Sequence, residues 1–549
     1  MLCLKPCPNH FGDMQLRPYQ KSARECAHKQ WETHRSTIVV MATGLGKSST
    51  LAFIIQDFQP ARTIVIAHRR ELIWQLKEEI ETCTGLSVAI EMGDVFSDET
   101  LFDKAQVIIA TVQTLSRRLA KFRPDEFGLL VYDEAHHSVA PVNRKVVEHF
   151  MQNPKLKMLL TTATPERADE KALGQVCEST AFDYGIVDGV KDGWLVDITA
   201  QFCNVKHLDL SQVHTTAGDL NQGELAKIME RDEIVMGVAQ PIVEVSYGLK
   251  EHTLDEIKPD KWSEYLAALE QKPRRGIVFC VTVEQAEGLA SLLRLADPKL
   301  AEAVSAKTPP EDRTEIFGRF KTGATSLIVN VGICTEGYNN PGVQTIFIAR
   351  PTKSRSLYMQ MIGRSTRPLP GLVDGLATAE ERKSAIAASQ KPWARLVDFA
   401  GNTGRHDIIS PWDILGGKIS DDVVERAIAK AKKDGKPVRV LANLNNTERE
   451  VKVEAVEDEK ARVLARSQFH MGGVDLMHGH SGQMSQWQSS HMAASASEKQ
   501  INVMRRAGVH PDFWVKRMAG RIIGKLVENQ WHLPAEMEFV KRPRNQKAS

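Results

Sequence analysis

Two short stretches of this chain carry residues whose types and spacing suit phosphate chemistry. In the first, an apolar run over 38–41 leads into Ala42-Thr43-Gly44-Leu45-Gly46-Lys47-Ser48-Ser49. That order suits a buried strand, a tight turn and the start of a helix. Backbone N–H groups around Gly44 and Gly46 can point at phosphate oxygens, because glycine tolerates the turn. Lys47 would reach the outer phosphates, and the Ser48 hydroxyl would ligate Mg²⁺. Met41 stands where the general pattern has glycine, and a plain glycine turn capping a helix is the competing reading. The second stretch, Leu129 to His137, is another short apolar run, and it meets two carboxylates, Asp133 and Glu134. Asp133 at a strand's end is placed to hold Mg²⁺ through water. Glu134 can orient and deprotonate an attacking water. An exposed acidic turn is the alternative, and it loses because each motif supplies what the other lacks.

The elements that must position these groups come in two blocks. Short apolar strands at 38–41, 63–67, 107–110, 129–132 and 158–161 alternate with helical stretches such as 70–83. This is the signature of an α/β domain with a parallel sheet. The second block repeats the style at 276–280, 327–331 and 343–349, with a helix over 283–295. Residues 197–265 interrupt the rhythm and read as a longer, mostly helical and polar connection. Two nucleotide-fold lobes with a cleft between them are expected. The partition is 1–196 for the first lobe, 197–265 for the connection and 266–410 for the second lobe. Residues 411–469 form an accessory region with a helix starting at Ser420-Asp421-Asp422 and stopped by Gly435. Residues 470–496, rich in Gly, Ser, Met, Gln and His, read as a linker. Residues 497–549 read as a helical module with eleven Lys/Arg against five Asp/Glu.

Composition narrows the class. A length of 549 residues allows two or three domains. The formal net charge of +2 makes any nucleic-acid surface a local one. Eight scattered cysteines point to a reducing, cytoplasmic compartment. Cys3, Cys7 and His10 lie close together but lack a fourth ligand, and a plain coil is the simpler reading. No apolar stretch reaches membrane-spanning length, and no membrane association is expected.

Further motifs follow in a fixed order: Leu16-Arg17-Pro18-Tyr19-Gln20, then 67–72 (AHRREL), 110–114 (ATVQT), 161–165 (TTATP), 278–283 (VFCVTV), 330–341 (NVGICTEGYNNP) and 360–368 (QMIGRSTRP). This set resembles the DExH type of superfamily 2 helicases over residues 14–410. The touches "ARPTKSRSLYMQMIGRSTRP" and "VDFAGNTGRHD" resemble the RadD-type DNA-repair helicases of bacteria, without their cysteine cluster, and the basic end "SEKQINVMRRAGV" resembles a small helical module of phage and mobile-element proteins. The resemblance implies an α/β fold of two RecA-like lobes plus a mainly helical C-terminal extension. It implies ATP and Mg²⁺ as cofactors and nucleic-acid-stimulated ATP hydrolysis coupled to strand translocation and unwinding. It assigns the base to Arg17 and Gln20, and the phosphates to Thr43, Gly44, Leu45, Gly46, Lys47, Ser48 and Ser49. Gly337 and Asn339 join the nucleotide site, with Asn339 standing where the family has an aspartate at the ribose. Gln360, Arg364 and Arg367 would meet the γ-phosphate from the second lobe, where cations neutralise developing charge. Thr162 and Thr164 would couple hydrolysis to movement. Arg69, Thr111, Gln113, Thr282 and Thr335 fall in strand-contact motifs. Single-stranded or forked DNA is the expected partner, with RNA, and translocation on duplex DNA without unwinding, as alternatives.

Overall fold

The computed structural model describes residues 16–68, 70–93, 95–97, 104–135, 141–163, 177–216, 218–334, 338–399, 408–416, 419–434, 436–452, 454 and 498–506. The chain divides into a unit ending at Val453 and a second from Glu454 to Ser549. In the second, the described part is the helix Glu498–Arg506.

The first sheet has seven strands: β1 (Ser36–Met41), β2 (Arg62–Ala67), β3 (Val88–Glu91), β4 (Val107–Thr111), β5 (Phe127–Asp133), β6 (Lys157–Thr162) and β7 (Ser179–Tyr184). Their spatial order is β3-β4-β2-β5-β6-β1-β7 and every pairing is parallel. The inner strands are apolar runs because both faces are covered; all six residues of β1 are buried. Helices α1 (Pro18–Trp31), α2 (Lys47–Asp57), α3 (Arg70–Thr84) and α4 (Val112–Arg118) connect and cover them. A parallel sheet brings all strand C-termini to one edge. The phosphate loop after β1, the carboxylates after β5 and Thr161-Thr162 on β6 therefore meet there.

The second sheet begins with β8 (Ile198–Phe202). A short antiparallel hairpin follows, β9 (Thr215–Thr216) and β10 (Asp219–Leu220), standing as its own sheet. Helix α5 (Asp232–Tyr247) comes next, then β11 (Gly276–Cys280), α6 (Val283–Ala296), β12 (Ala301–Val304), β13 (Leu327–Asn330), β14 (Thr345–Ala349), α7 (Arg355–Ile362), β15 (Ala394–Asp398) and β16 (Val438–Arg439). The order is β12-β13-β11-β14-β15-β8-β16, parallel except for β16 at the edge.

The segment 197–265, expected as a mostly helical and polar connection, carries the helices Gln222–Met229, Asp232–Tyr247 and Trp262–Ala267 and also contributes to the second sheet and its core. β8 pairs with β15 inside the second sheet. Helix α5 buries Ile234, Val238, Ile242 and Val243, and packs with α6 in one apolar cluster. Buried Glu244 on the same helix accepts the Leu254 N–H at 2.8 Å. Polar residues interleaved with this apolar face hid its role. Within 411–469, β16 adds an edge strand to β8, and buried Trp412 stacks on Phe202 at 4.9 Å. The helix expected after Ser420 runs Asp421–Asp434, with two acidic residues in its first turn. Gly435, the N-terminal Cys3/Cys7/His10 cluster and the stretch 470–496 lie outside the described residues.

Candidate functional site

The phosphate loop closes β1 and opens α2. Gly44 and Gly46 hold φ of 95° and 76°, the left-handed region that glycine enters without strain. Gly46 is also the residue before the first turn of α2, so the loop N–H groups and the helix N-terminus share one concavity. Met41, in place of the usual glycine, is fully buried in the core beneath. Its side chain serves packing and not the loop.

Lys47 and the two carboxylates form the centre. The Lys47 ammonium lies 2.8 Å from Asp133 Oδ1 and 2.8 Å from Glu134 Oε1. Thr161, on the neighbouring strand β6, donates its hydroxyl to Asp133 Oδ1 at 2.7 Å. Burial alone would lower the Lys47 pKa; the facing carboxylates reverse that and raise it. Burial would raise that of Asp133, and Lys47 and Thr161 instead hold it down. Lys47 and Asp133 are therefore charged at neutral pH. Glu134 has φ of 57°, a conformation uncommon for a residue with a side chain.

The second lobe supplies the opposite wall. Arg364 and Arg367 follow α7, and both line the same cleft of about 870 Å³ as Lys47, Ser48, Asp133 and Glu134. Gln360 on α7 faces it as well. The Arg364 guanidinium donates to the Tyr338 carbonyl at 2.6 Å. Arg367 donates to the Asn339 amide oxygen. Burial, then Arg364, pulls the Arg367 pKa down to about 10, which leaves it charged at neutral pH. An aspartate at 339 would neutralise Arg367; the amide leaves that charge available to a phosphate. The lobes approach closely here. A Cβ on Gly363 would sit 2.6 Å from Thr43 Cβ, and one on Gly44 would sit 3.0 Å from Arg367 Cγ.

Arg17 and Gln20, the residues expected to meet the base, line this cleft with their polar groups engaged. Gln20 donates to the Leu45 and Gly46 carbonyls at 3.2 and 3.1 Å, and accepts the Arg17 N–H at 2.9 Å. Arg17 lies over the Trp194 ring at 4.9 Å and pairs with Asp374 of the second lobe at 2.8 Å. Ser49 donates to Glu79. Ser48 lines the cleft beside the carboxylates. Oxygen donors from Ser48 and Asp133 suit a hard cation such as Mg²⁺.

The strand-contact candidates are more dispersed. Thr111 and Thr282 are helix N-caps, accepting the Thr114 and Gln285 N–H groups at 3.3 and 3.1 Å. Gln113 is exposed on the first turn of α4, and Thr162 is buried at the end of β6. Arg69, Thr164, Thr335 and Gly337 lie outside the described residues. Sequence reasoning missed Thr161, Trp194, Asp374 and Lys391. Lys391 is buried and donates to the Pro341 and Arg367 carbonyls at 2.8 and 2.7 Å, tying the 338–341 loop to the arginine. Burial, then Arg367 and Arg275, pulls its pKa down to about 7. Thr161 opens the 161–165 motif but its bond to Asp133 has no sequence signal; nothing near Lys391 in sequence signals its partners.

Residues 13–167 match the family model described as "Type III restriction enzyme, res subunit", and residues 257–368 match "Helicase conserved C-terminal domain". The chain is similar to these two families over those residues. One relative is "Putative ATP-dependent helicase IRC3" of Saccharomyces cerevisiae, 32% identical over 64% of this chain and 49% of that protein. A second is a "51.5 kDa protein" of a Lactococcus phage, 25% identical over 59% of this chain and 61% of that protein. A third is "DNA 3'-5' translocase XPB2" of Sulfurisphaera tokodaii, 22% identical over 66% of this chain and 81% of that protein. The chain spans about half the length of the yeast relative. Among the described residues no helix is long and apolar enough to cross a membrane.

Proposed function

We propose that this chain is an ATP-driven motor on nucleic acid, most simply DNA, that couples hydrolysis between its lobes to movement along a strand. One observation carries the reading. Lys47, Asp133 and Glu134 on one wall of a cleft face Arg364 and Arg367 on the other, and Gly363 touches Thr43 between them.

The roles follow from chemistry. Lys47 exchanges its carboxylate partners for phosphate oxygens. That exchange leaves Asp133 and Ser48 to hold Mg²⁺, which supplies charge neutralisation. Glu134, released from Lys47, takes the proton of an attacking water. Arg364 and Arg367 neutralise charge on the transferred group, a term worth ~10³–10⁵ in rate where such arginines are known. Gln20 reads the adenine edge if its amide leaves the Leu45 and Gly46 carbonyls, and Arg17 covers the base if it leaves Asp374. Lobe closure then depends on which nucleotide is bound, and alternating affinity drives the cycle.

A DNA substrate is supported by the RadD-like motifs and the relative named as a DNA translocase. Phosphate contacts by Arg69, Thr111, Gln113, Thr282 and Thr335 would be blind to sequence and to the sugar. Strand displacement on a forked duplex tests unwinding; displacement of a roadblock without strand separation is the outcome for a translocase.

A further inference from the structure

We infer that Phe96 is a base-stacking platform for a single strand lying against the first lobe. The inference rests on the nucleic-acid motor reading above.

The ring is held in the open by structure on both sides. Glu91 ends β3 beside Ala110 of β4, so the turn after β3 leaves the sheet next to the start of α4. Met92 and Val95 exchange backbone hydrogen bonds at 2.9 and 2.8 Å, closing the turn before Phe96. The Gly93 N–H donates to the Thr114 hydroxyl at 3.0 Å, and Arg118 donates to the Gly93 carbonyl at 2.6 Å. Directly after Phe96, Ser97 donates its N–H and hydroxyl to Glu91 Oε2 at 3.0 and 2.7 Å. Glu91 is fully buried and also accepts from Arg118 and from Lys121, the latter at 2.6 Å. Burial would raise its pKa; Lys121, Ser97 and Arg118 hold it near 2, so the clamp stays charged across the working range. A buried carboxylate with this many partners fixes one loop geometry.

What that geometry displays is an aromatic ring that is 54% exposed. The Arg118 guanidinium lies over it at 4.0 Å and the Lys121 ammonium at 5.9 Å. Two cations at an exposed ring are ill-suited to an apolar protein partner and well suited to a stacked base with its phosphate nearby. Exposed Arg117 on α4 adds a further cation. The same helix begins at Thr111 and Gln113, which fall in a strand-contact motif, so the platform continues that track along one helix. Stacking requires bases that are unpaired and exposed, so the ligand is single-stranded.

The test is equilibrium binding of the full chain to labelled oligothymidylate, oligouridylate and an abasic DNA of equal length. Abasic DNA keeps the phosphates and removes the stacking partner. Wild type should prefer base-bearing strands by roughly fivefold to a hundredfold. Phe96→Ala should bring them down to the abasic affinity, leave abasic binding and nucleic-acid-free ATP turnover unchanged, and keep the melting temperature. Phe96→Trp should restore the preference. The uridylate arm decides whether RNA shares the platform. Phe96→Ala binding like wild type, or losing equally on abasic and base-bearing strands, overturns the inference. Wild type that binds no strand at all instead overturns the motor reading on which it rests.

Discussion

Substituting Gly363 by Ala should disable coupling between the lobes without unfolding either. Gly363 has φ of −59° and ψ of −15°, so alanine meets no backbone strain there. Its Cβ would lie 2.6 Å from Thr43 Cβ and 2.9 Å from Thr43 Cγ2. Carbon pairs settle at about 3.5–4.0 Å, so the helix carrying Gly363 must lift from the phosphate loop by roughly 1 Å. Arg364 is the next residue and Arg367 lies four positions on, so both ride with it. A displacement of about 1 Å in a positioned catalytic group can cost ~10²-fold, or ~2.7 kcal/mol of barrier. The clash is with a threonine of the other lobe, so the fold of each lobe is spared. Steady-state ATP turnover at saturating nucleic acid, with thermal unfolding alongside, reads both. A drop of about 10² in turnover with little change in melting temperature is expected. Wild-type turnover in a folded variant would refute the argument that closure depends on this contact.

Other perturbations separate the parts. Arg367→Ala should keep ATP binding while losing most stimulated turnover; equal losses in binding and turnover would place the arginine in ground-state binding alone. Lys391 is held near 7 in the folded chain and near its ordinary value of about 10.4 in the unfolded one. The unfolded state therefore binds more protons between those values, and Lys391's contribution to stability rises with pH from about 7 to 10 by at most ~1.4 kcal/mol per unit. The stability difference between wild type and Lys391→Met, followed by denaturant titration, should climb through that window, and a flat difference would contradict the assignment. Removing residues 497–549, with their eleven Lys/Arg and five Asp/Glu, should weaken DNA affinity and flatten its salt dependence. Identical slopes for both chains would leave partner docking as the role of that segment.

How much was legible in sequence follows from where the constraint is local. The strands β1, β2, β5, β6 and β11 stood out because both faces are buried, so they are written as unbroken apolar runs. β3 is four residues ending in Glu91, and β7 alternates half-exposed positions at the sheet edge, so neither makes such a run. β15 carries Arg395 and Asp398 in a buried strand, where Asp398 accepts from Tyr358 at 2.9 Å. The phosphate loop and the paired carboxylates were readable because each motif is contiguous. The Arg17–Asp374 pair joins residues 357 apart, and Lys391 acts through carbonyls of Pro341 and Arg367, which have no sequence signature. Helix α5 lies in the expected helical connection, but its share in the second lobe's core is not legible because its apolar partners lie on α6, distant in sequence, and its buried face also holds Glu244.

Hydrolysis of ATP by Lys47, Asp133 and Glu134 under control of a strand bound to the lobes is the proposed activity. It is tested most directly by ATP turnover of the full chain with no nucleic acid, single-stranded DNA, duplex DNA or RNA, for wild type beside Glu134→Gln. Mg²⁺-dependent turnover that rises most with single-stranded DNA, and falls by at least ~10²-fold in Glu134→Gln with ATP binding retained, is the result expected. Turnover that no nucleic acid changes, or that survives intact in Glu134→Gln, would contradict it.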